Sequence, residues 1–376
     1  MKGLKNGLLW IALLAAVVLI TACSSNEPES TKSETDTSTG DVPKQEEAEG
    51  GVLKIAIDGQ PPTLDQPTAP PTAIRDTARL MFETLLITDS NYNAVPMLAE
   101  SVETDDNQTY TFHLREGVLF HNGKEMIAED VIASMKRWLE KSAITGAIFE
   151  GATWTAEDDY TVVLELQQPS SLMLDTIATS KQAPAIMPKE IVESADAEGV
   201  TEYIGTGPFK FVEWKQDQYI HFTKFDDYKP VEAPADGLAG KKEALVDDIY
   251  FYIVTDASTR VAGLQTGEYD FAYGIPYDNY EQIDSDPNLK TYLDVSGVQL
   301  LAYNKAKGLA SDVRMREVVN TALDMQEIMM AAYPNEELFW LHSSYMDEEI
   351  VNWATDAGQE YHNLNDPEKA KEMLEE

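Results

Sequence analysis

Short apolar runs that read as strands are interleaved along this chain with segments of helical periodicity, and this alternation constrains the fold more than any single motif. Residues 52–57 (VLKIAI) form an apolar run of the kind a buried strand uses. Residues 110–114 alternate in polarity, residues 161–166 and 249–254 are further strand candidates, and residues 209–214 and 219–225 read as a hairpin. Residues 269–273 are one more strand candidate. Between these runs, Ile74, Ala78, Met81 and Leu85 predict a helix over residues 74–86. Val131, Ile132, Met135 and Trp138 predict another over 128–141. Residues 257–266 form a short helix closed by Gly267, a typical helix-stop residue. Residues 312–330 and 366–375 also read as helical. Gly117, the Asn122-Gly123 pair and the Pro-rich stretch 61–71 mark turns and loops. No internal repeat interrupts the pattern, so the class is α/β. At 376 residues the chain exceeds one ordinary core, and two or more lobes are expected.

The N-terminus carries an address. Lys2 and Lys5 precede an apolar run over residues 7–20, shorter than the roughly 20 residues of a spanning helix and suited to a signal-peptide core. Ile20-Thr21-Ala22-Cys23 follows, with small residues before the only cysteine of the chain. It resembles the lipobox of bacterial lipoproteins, which implies a lipid on Cys23 and cleavage after residue 22. An incidental thiol is the alternative, but position and neighbours both suit lipidation. One cysteine excludes an intrachain disulfide. Residues 24–50 are rich in Ser, Thr, Glu, Asp and Pro, and read as a disordered tether between anchor and folded body.

The formal net charge is -38, and removal of residues 1–22 takes away two lysines and no acid. Such a surface repels nucleic acid and anionic headgroups, so no nucleic-acid partner is expected. Catalytic motifs are missing. Gly205-Thr206-Gly207-Pro208 has Lys210 where a dinucleotide loop needs its third glycine, and it reads as a turn into a strand. The stretch 237–242 has the wrong spacing for a phosphate loop. His113, His121, His221, His342 and His362 form no metal-ligand pair and suit surface or strand positions. There is no Gly-x-Ser-x-Gly elbow, and carboxylate pairs are expected by chance in so acidic a chain. Neither enzyme activity, nor cofactor, nor metal is expected.

Several segments, taken in order, resemble the solute-binding proteins of peptide-type ABC importers, the oligopeptide- and dipeptide-binding family (solute-binding family 5). They are residues 110–115, 117–118, 120–123 and 128–131, then Gly205-Thr206-Gly207-Pro208-Phe209 with Val212-Glu213-Trp214 and Asp227-Tyr228. Asp256-Ala257-Ser258-Thr259-Arg260, residues 264–270, Tyr303-Asn304, residues 312–316 and Asp366-Pro367-Glu368-Lys369-Ala370 complete the series. The resemblance covers residues 51–376.

It implies a periplasmic-binding-protein-like clamp of two main lobes with an inserted extra lobe. On that template lobe I is residues 51–72 and 188–296, lobe II is 73–187, and lobe III is 297–376. Residues 1–22 are the signal peptide, and 23–50 the lipidated cysteine and tether. Family members continue past the Asp366–Ala370 segment, so lobe III is expected to be incomplete and the amine-binding acidic residue to lie beyond Glu376. The implied function is capture of short peptides for a permease, by a monomer anchored through lipid to the outer face of the cytoplasmic membrane. A nickel-type ligand, a secreted hydrolase and a non-functional fragment are the competing readings.

The resemblance also places residues at the cleft. Gln60, Pro61 and Pro62 follow the first strand, where backbone groups can pair with an extended peptide. A plain Pro-rich loop suits them equally. Tyr273 and Gly274 match cleft-lining positions, Tyr273 offering both a ring face and a hydroxyl. Ala302 and Tyr303 lie near the crossover to lobe III, where a core role suits Tyr303 as well. Trp138, Trp154 and Trp214 read as packing residues.

Overall fold

The computed structural model describes residues 50–68, 72–293, 298–346 and 353–375. The expected signal peptide, Cys23, nearly all of the expected tether and Glu376 lie outside the described residues.

The described chain builds eleven strands and nine α-helices. The first half contains β1 (Val52–Ile57), α1 (Thr72–Ala78), β2 (Leu86–Thr88), β3 (Ala94–Pro96), β4 (Ala99–Glu103), β5 (Thr109–Leu114) and α2 (Ala128–Lys141). Next come β6 (Thr153–Asp158), β7 (Thr161–Glu165), α3 (Met173–Ile177), α4 (Lys189–Ser194), β8 (Phe209–Lys215), β9 (Tyr219–Lys224) and β10 (Asp248–Ile253). The remainder is α5 (Ala257–Thr266), β11 (Phe271–Ala272), α6 (Tyr280–Asp284), α7 (Val313–Ala322), α8 (Met325–Ala332) and α9 (Pro367–Glu375).

Two sheets carry two cores. The first has the order β11-β1-β10-β9-β8, with β1 parallel to both β10 and β11, and β9 antiparallel to β10 and β8. Alternation decides which face is buried: Ile249 and Phe251 of β10, with Ile220 and Phe222 of β9, point into a cluster with Ile55, Ile57 and Leu64. The second sheet, β4-β5-β7-β6, is wholly antiparallel. Its Tyr110, Phe112, Val162 and Leu164 pack against Val131, Met135 and Trp138 of α2. Trp138 and Trp154 are buried in this second core, and Trp214 packs against the first.

Two helices depart from the sequence pattern. The helix expected over 74–86 ends at Ala78. Past that point the backbone is claimed by other chain segments: the carbonyls of Leu80 and Met81 accept from Phe209 and Gly207 N–H, and that of Leu85 accepts from Met97 and Ala99 N–H. Met81 and Leu85 are buried as the periodicity requires, but on an irregular path. The helix expected over 312–330 is two helices, because the Asp324 carboxylate caps α8 by accepting from Glu327 N–H at 2.9 Å. The strand expected over 269–273 is regular only at Phe271 and Ala272, with single bonds from Asp270 N–H to the Lys54 carbonyl and Tyr273 N–H to the Ala56 carbonyl flanking it.

Between the two cores the outgoing and returning chains cross under tight steric control. A Cβ on Gly205 would sit 2.0 Å from the Met81 carbonyl oxygen, and one on Gly207 would sit 2.6 Å from that of Leu80. Two buried carboxylates and the partly buried His121 stitch this crossing. The Asp65 carboxylate, fully buried, receives a two-pronged Arg137 guanidinium (Nη1–Oδ1 2.9 Å) and the Val200 N–H. Glu83 accepts from Thr206 Oγ1 at 3.0 Å, Tyr228 OH at 2.9 Å and Lys242 Nζ at 3.3 Å. His121 spans Gly205 N–H (3.3 Å to Nδ1) and the Gly207 carbonyl (3.0 Å from Nε2). His121 thus departs from the surface or strand position expected of it.

Candidate functional site

Parallel strands send their carboxyl ends to one edge of a sheet, and the loops that follow are where such folds place ligands. Ile57 of β1 is level with Ile253 of β10, and Ala56 with Ala272 of β11. Three loops therefore leave the same edge: residues 58–62, 254–256 and 273–274. The β8–β9 turn joins them, since Ile253 N–H donates to the Gln218 carbonyl at 2.9 Å.

The expected residues sort clearly by position. Gln60 turns its amide toward that turn, Oε1 accepting from Asp217 N–H at 2.9 Å. Pro61 is buried and Pro62 exposed. Tyr273 N–H donates to the Ala56 carbonyl at 2.8 Å, and its ring lies 5.0 Å from Phe271. Gly274 has φ +62°, a left-handed conformation that side chains resist. A Cβ there would also crowd the Asp58 carboxylate at 3.1 Å. Gln60, Pro61, Pro62, Tyr273 and Gly274 thus share one edge. Ala302 and Tyr303 belong to another neighbourhood: Ala302 is exposed, and the Tyr303 hydroxyl donates to Asn320 Oδ1 of α7 at 2.6 Å. Burial raises the Tyr303 hydroxyl above the usual phenol range.

Two residues of this edge escape a reading of the sequence. Asp58 is exposed immediately after β1. Arg260 is 4% exposed and holds three carbonyls: Val254 (2.7 Å) and Thr255 (3.1 Å) through Nη1, and Gly274 (2.6 Å) through Nη2. A signal for it exists. A cation in the opening turn of a helix opposes the helix dipole, and needs some other partner.

Histidine chemistry lies elsewhere. His221 Nε2 is 2.7 Å from Asp248 Oδ1, with its ring stacked 4.1 Å from Tyr250. Burial, then the neighbouring His342, lowers His362 below the usual imidazole range. Among the described residues no group of three or more His, Cys, Asp or Glu is placed to hold a metal ion, and no helix is long and apolar enough to cross a membrane.

Known proteins share this fold. Residues 93–376 match the family described as bacterial extracellular solute-binding proteins, family 5 Middle. The chain is 32% identical to a probable peptide ABC transporter periplasmic-binding protein, y4tO of Sinorhizobium fredii, over 82% of this chain and 60% of that one. It is 28% identical to the oligopeptide-binding protein AppA of Bacillus subtilis, over 100% of this chain and 67% of that one. The solved structure of AppA with a nonapeptide superposes with a TM-score of 0.68 at 26% identity, covering 87% of this chain and 64% of that one. The structure of NikA from Brucella suis with Fe(III)-EDTA shares the fold, with a TM-score of 0.69 at 23% identity over 86% of this chain and 64% of that one. The mixed α/β architecture is that of periplasmic binding proteins. The chain spans 60% of the length of y4tO, so the match concerns that portion. On the extent of the family match, the chain belongs to the family 5 bacterial extracellular solute-binding proteins.

Proposed function

We propose that this chain captures short peptides outside the cytoplasm and delivers them to an ABC permease, without chemical change to the ligand. The observation that carries this reading is the convergence of four loops at the carboxyl edge of the first sheet in a member of a solute-binding family. Relatives named for peptide binding support the ligand class. The loops at residues 58–62 and 273–274 border this edge, where an extended ligand could be read through its main chain, a mode that tolerates many side chains. The lobes follow the template: residues 51–72 with 188–296, residues 73–187, and residues 297–376. Cys23 carries the lipid, and the protein works as a monomer at the outer face of the cytoplasmic membrane.

A second reading keeps the site and changes the solute. One relative at 30% identity is the heme-binding protein A of Haemophilus influenzae, and others at 28% are glutathione-binding proteins.

Native mass spectrometry of the protein, purified without refolding and mixed with a tryptic digest of casein, separates these readings. A ladder of bound peptide masses is the expected result. A single fixed adduct carried through purification supports the second reading, and hydrolysis of any added peptide sinks both. Cys23→Ser should move the protein from the membrane fraction to the soluble one.

A further inference from the structure

β11 has two paired residues, too few to hold its own end in place. Beyond Ala272 the ladder to β1 adds one bond, Tyr273 N–H to the Ala56 carbonyl, and then stops. Likewise Val254 N–H reaches the Ile57 carbonyl, after which the carbonyls of Val254 and Thr255 have no strand to face. At this point Arg260 takes over. Its two terminal nitrogens reach the carbonyls of Val254, Thr255 and Gly274, which belong to the ends of two strands on opposite sides of β1.

The arginine is itself fixed. Asp256 caps α5 by accepting from the Thr259 N–H at 2.7 Å and hydroxyl at 2.8 Å, and Arg260 N–H donates to the Asp256 carbonyl at 3.1 Å. Among the described residues the guanidinium meets backbone carbonyls in place of a carboxylate ion pair, and its Nε is buried without a hydrogen-bond partner. Desolvating a charge is costly, and an apolar side chain would fill the space without that cost. The place of Arg260 is explained by what it holds.

We infer that Arg260 is a positioning residue of the ligand site: its guanidinium clasps the carboxyl ends of β10 and β11 and so sets where Tyr273 and Gly274 stand relative to residues 58–62. The ligand-binding part of this inference rests on the function proposed above. The clasp itself does not. Gly274 lies close to the clasp: a Cβ there would be 3.4 Å from Arg260 Nη2, an ordinary contact, and 3.1 Å from Asp58 Oδ2, while its φ of +62° is what disfavours a side chain.

The test compares wild type, R260K and R260A in two measurements. Hydrogen exchange of the ligand-free protein reads the clasp. R260A should exchange faster over residues 272–276, with the amides of β5 and β7 unchanged. Binding of the casein digest reads the site. Losing charge-assisted bonds to three carbonyls should weaken binding by roughly tenfold or more. R260K, which cannot fork across two strand ends, should recover little of it. Millimolar methylguanidinium, filling the space left in R260A, should restore both exchange protection and binding. A positioning role is overturned if R260A binds peptides as wild type does, or if methylguanidinium restores neither readout. If wild type binds no peptide, the proposed function fails, and exchange over 272–276 still decides the clasp: wild-type rates in R260A refute it.

Discussion

His121 gives the crossing between the two cores a pH-dependent stability that can be worked out from its surroundings. Nδ1 accepts the Gly205 N–H, so the ring proton sits on Nε2 and points to the Gly207 carbonyl. Phe225 meets the ring edge-on at 5.0 Å. A second proton would have to enter at Nδ1, where the Gly205 N–H already points. Burial is the largest influence, the Gly207 carbonyl opposes it and Lys210 adds to it; together they lower the pKa from 6.5 to about 4. In the unfolded chain the imidazole binds its proton near pH 6.5, and in the fold only near 4. The unfolded state therefore gains more from acid, and the stabilisation present above pH 6.5 is lost as pH falls toward 4. Between pH 7.5 and 4.5 the loss is up to about 2.5 kcal/mol for this one group. Carboxylates contribute their own acid dependence, so the informative quantity is the difference between wild type and His121→Gln in urea unfolding at the two pH values. The variant is expected to be less stable at pH 7.5 and to lose about 2.5 kcal/mol less than wild type on acidification. Histidine NMR gives an independent check, because the His121 ring should remain neutral down to pH 5. A His121 resonance that titrates near 6.5, or an equal acid loss in both proteins, refutes the reasoning.

Three further outcomes follow from the same crossing and from the ligand edge. Arg137→Met should cost about 3–5 kcal/mol by leaving the buried Asp65 carboxylate unpaired, whereas Asp65→Leu combined with Arg137→Met should recover most of that loss in the same urea assay. Gly205→Ala should cost more than about 3 kcal/mol, since its Cβ would meet the Met81 carbonyl and a backbone oxygen cannot swing aside as a side chain can. Gly274→Ala should weaken binding of the casein digest while leaving the unfolding midpoint near that of wild type, because the strained, crowded position is at the loop edge and in neither core.

The regular elements are legible where one side-chain period serves one packing surface. β1 and α2 have the boundaries that their residues predict, and α5 ends at Gly267 in the left-handed conformation that a glycine stop implies. The helix expected over 74–86 fails because its apolar residues do keep helical spacing, yet two different partners compete for its backbone. Residues 80–81 pair with the returning chain at 207–209, and residues 84–85 pair with 97–99. Periodicity reports which side chains are buried, and here it does so correctly. It carries no information on where the backbone hydrogen bonds go when the partner lies in another segment, whether nearby at 97–99 or far along the chain at 207–209. The site divides along the same line. Gln60 follows a strand that the pattern reveals, and Gly274 is reached through the family resemblance; the structure places both at one edge. Arg260 is reached by neither route, because its partners are carbonyls, which have no letter in the sequence. A buried arginine that grips main chain is visible only once the strand ends are in place, and this favours a role in fixing the edge over a direct part in reading a ligand's side chains.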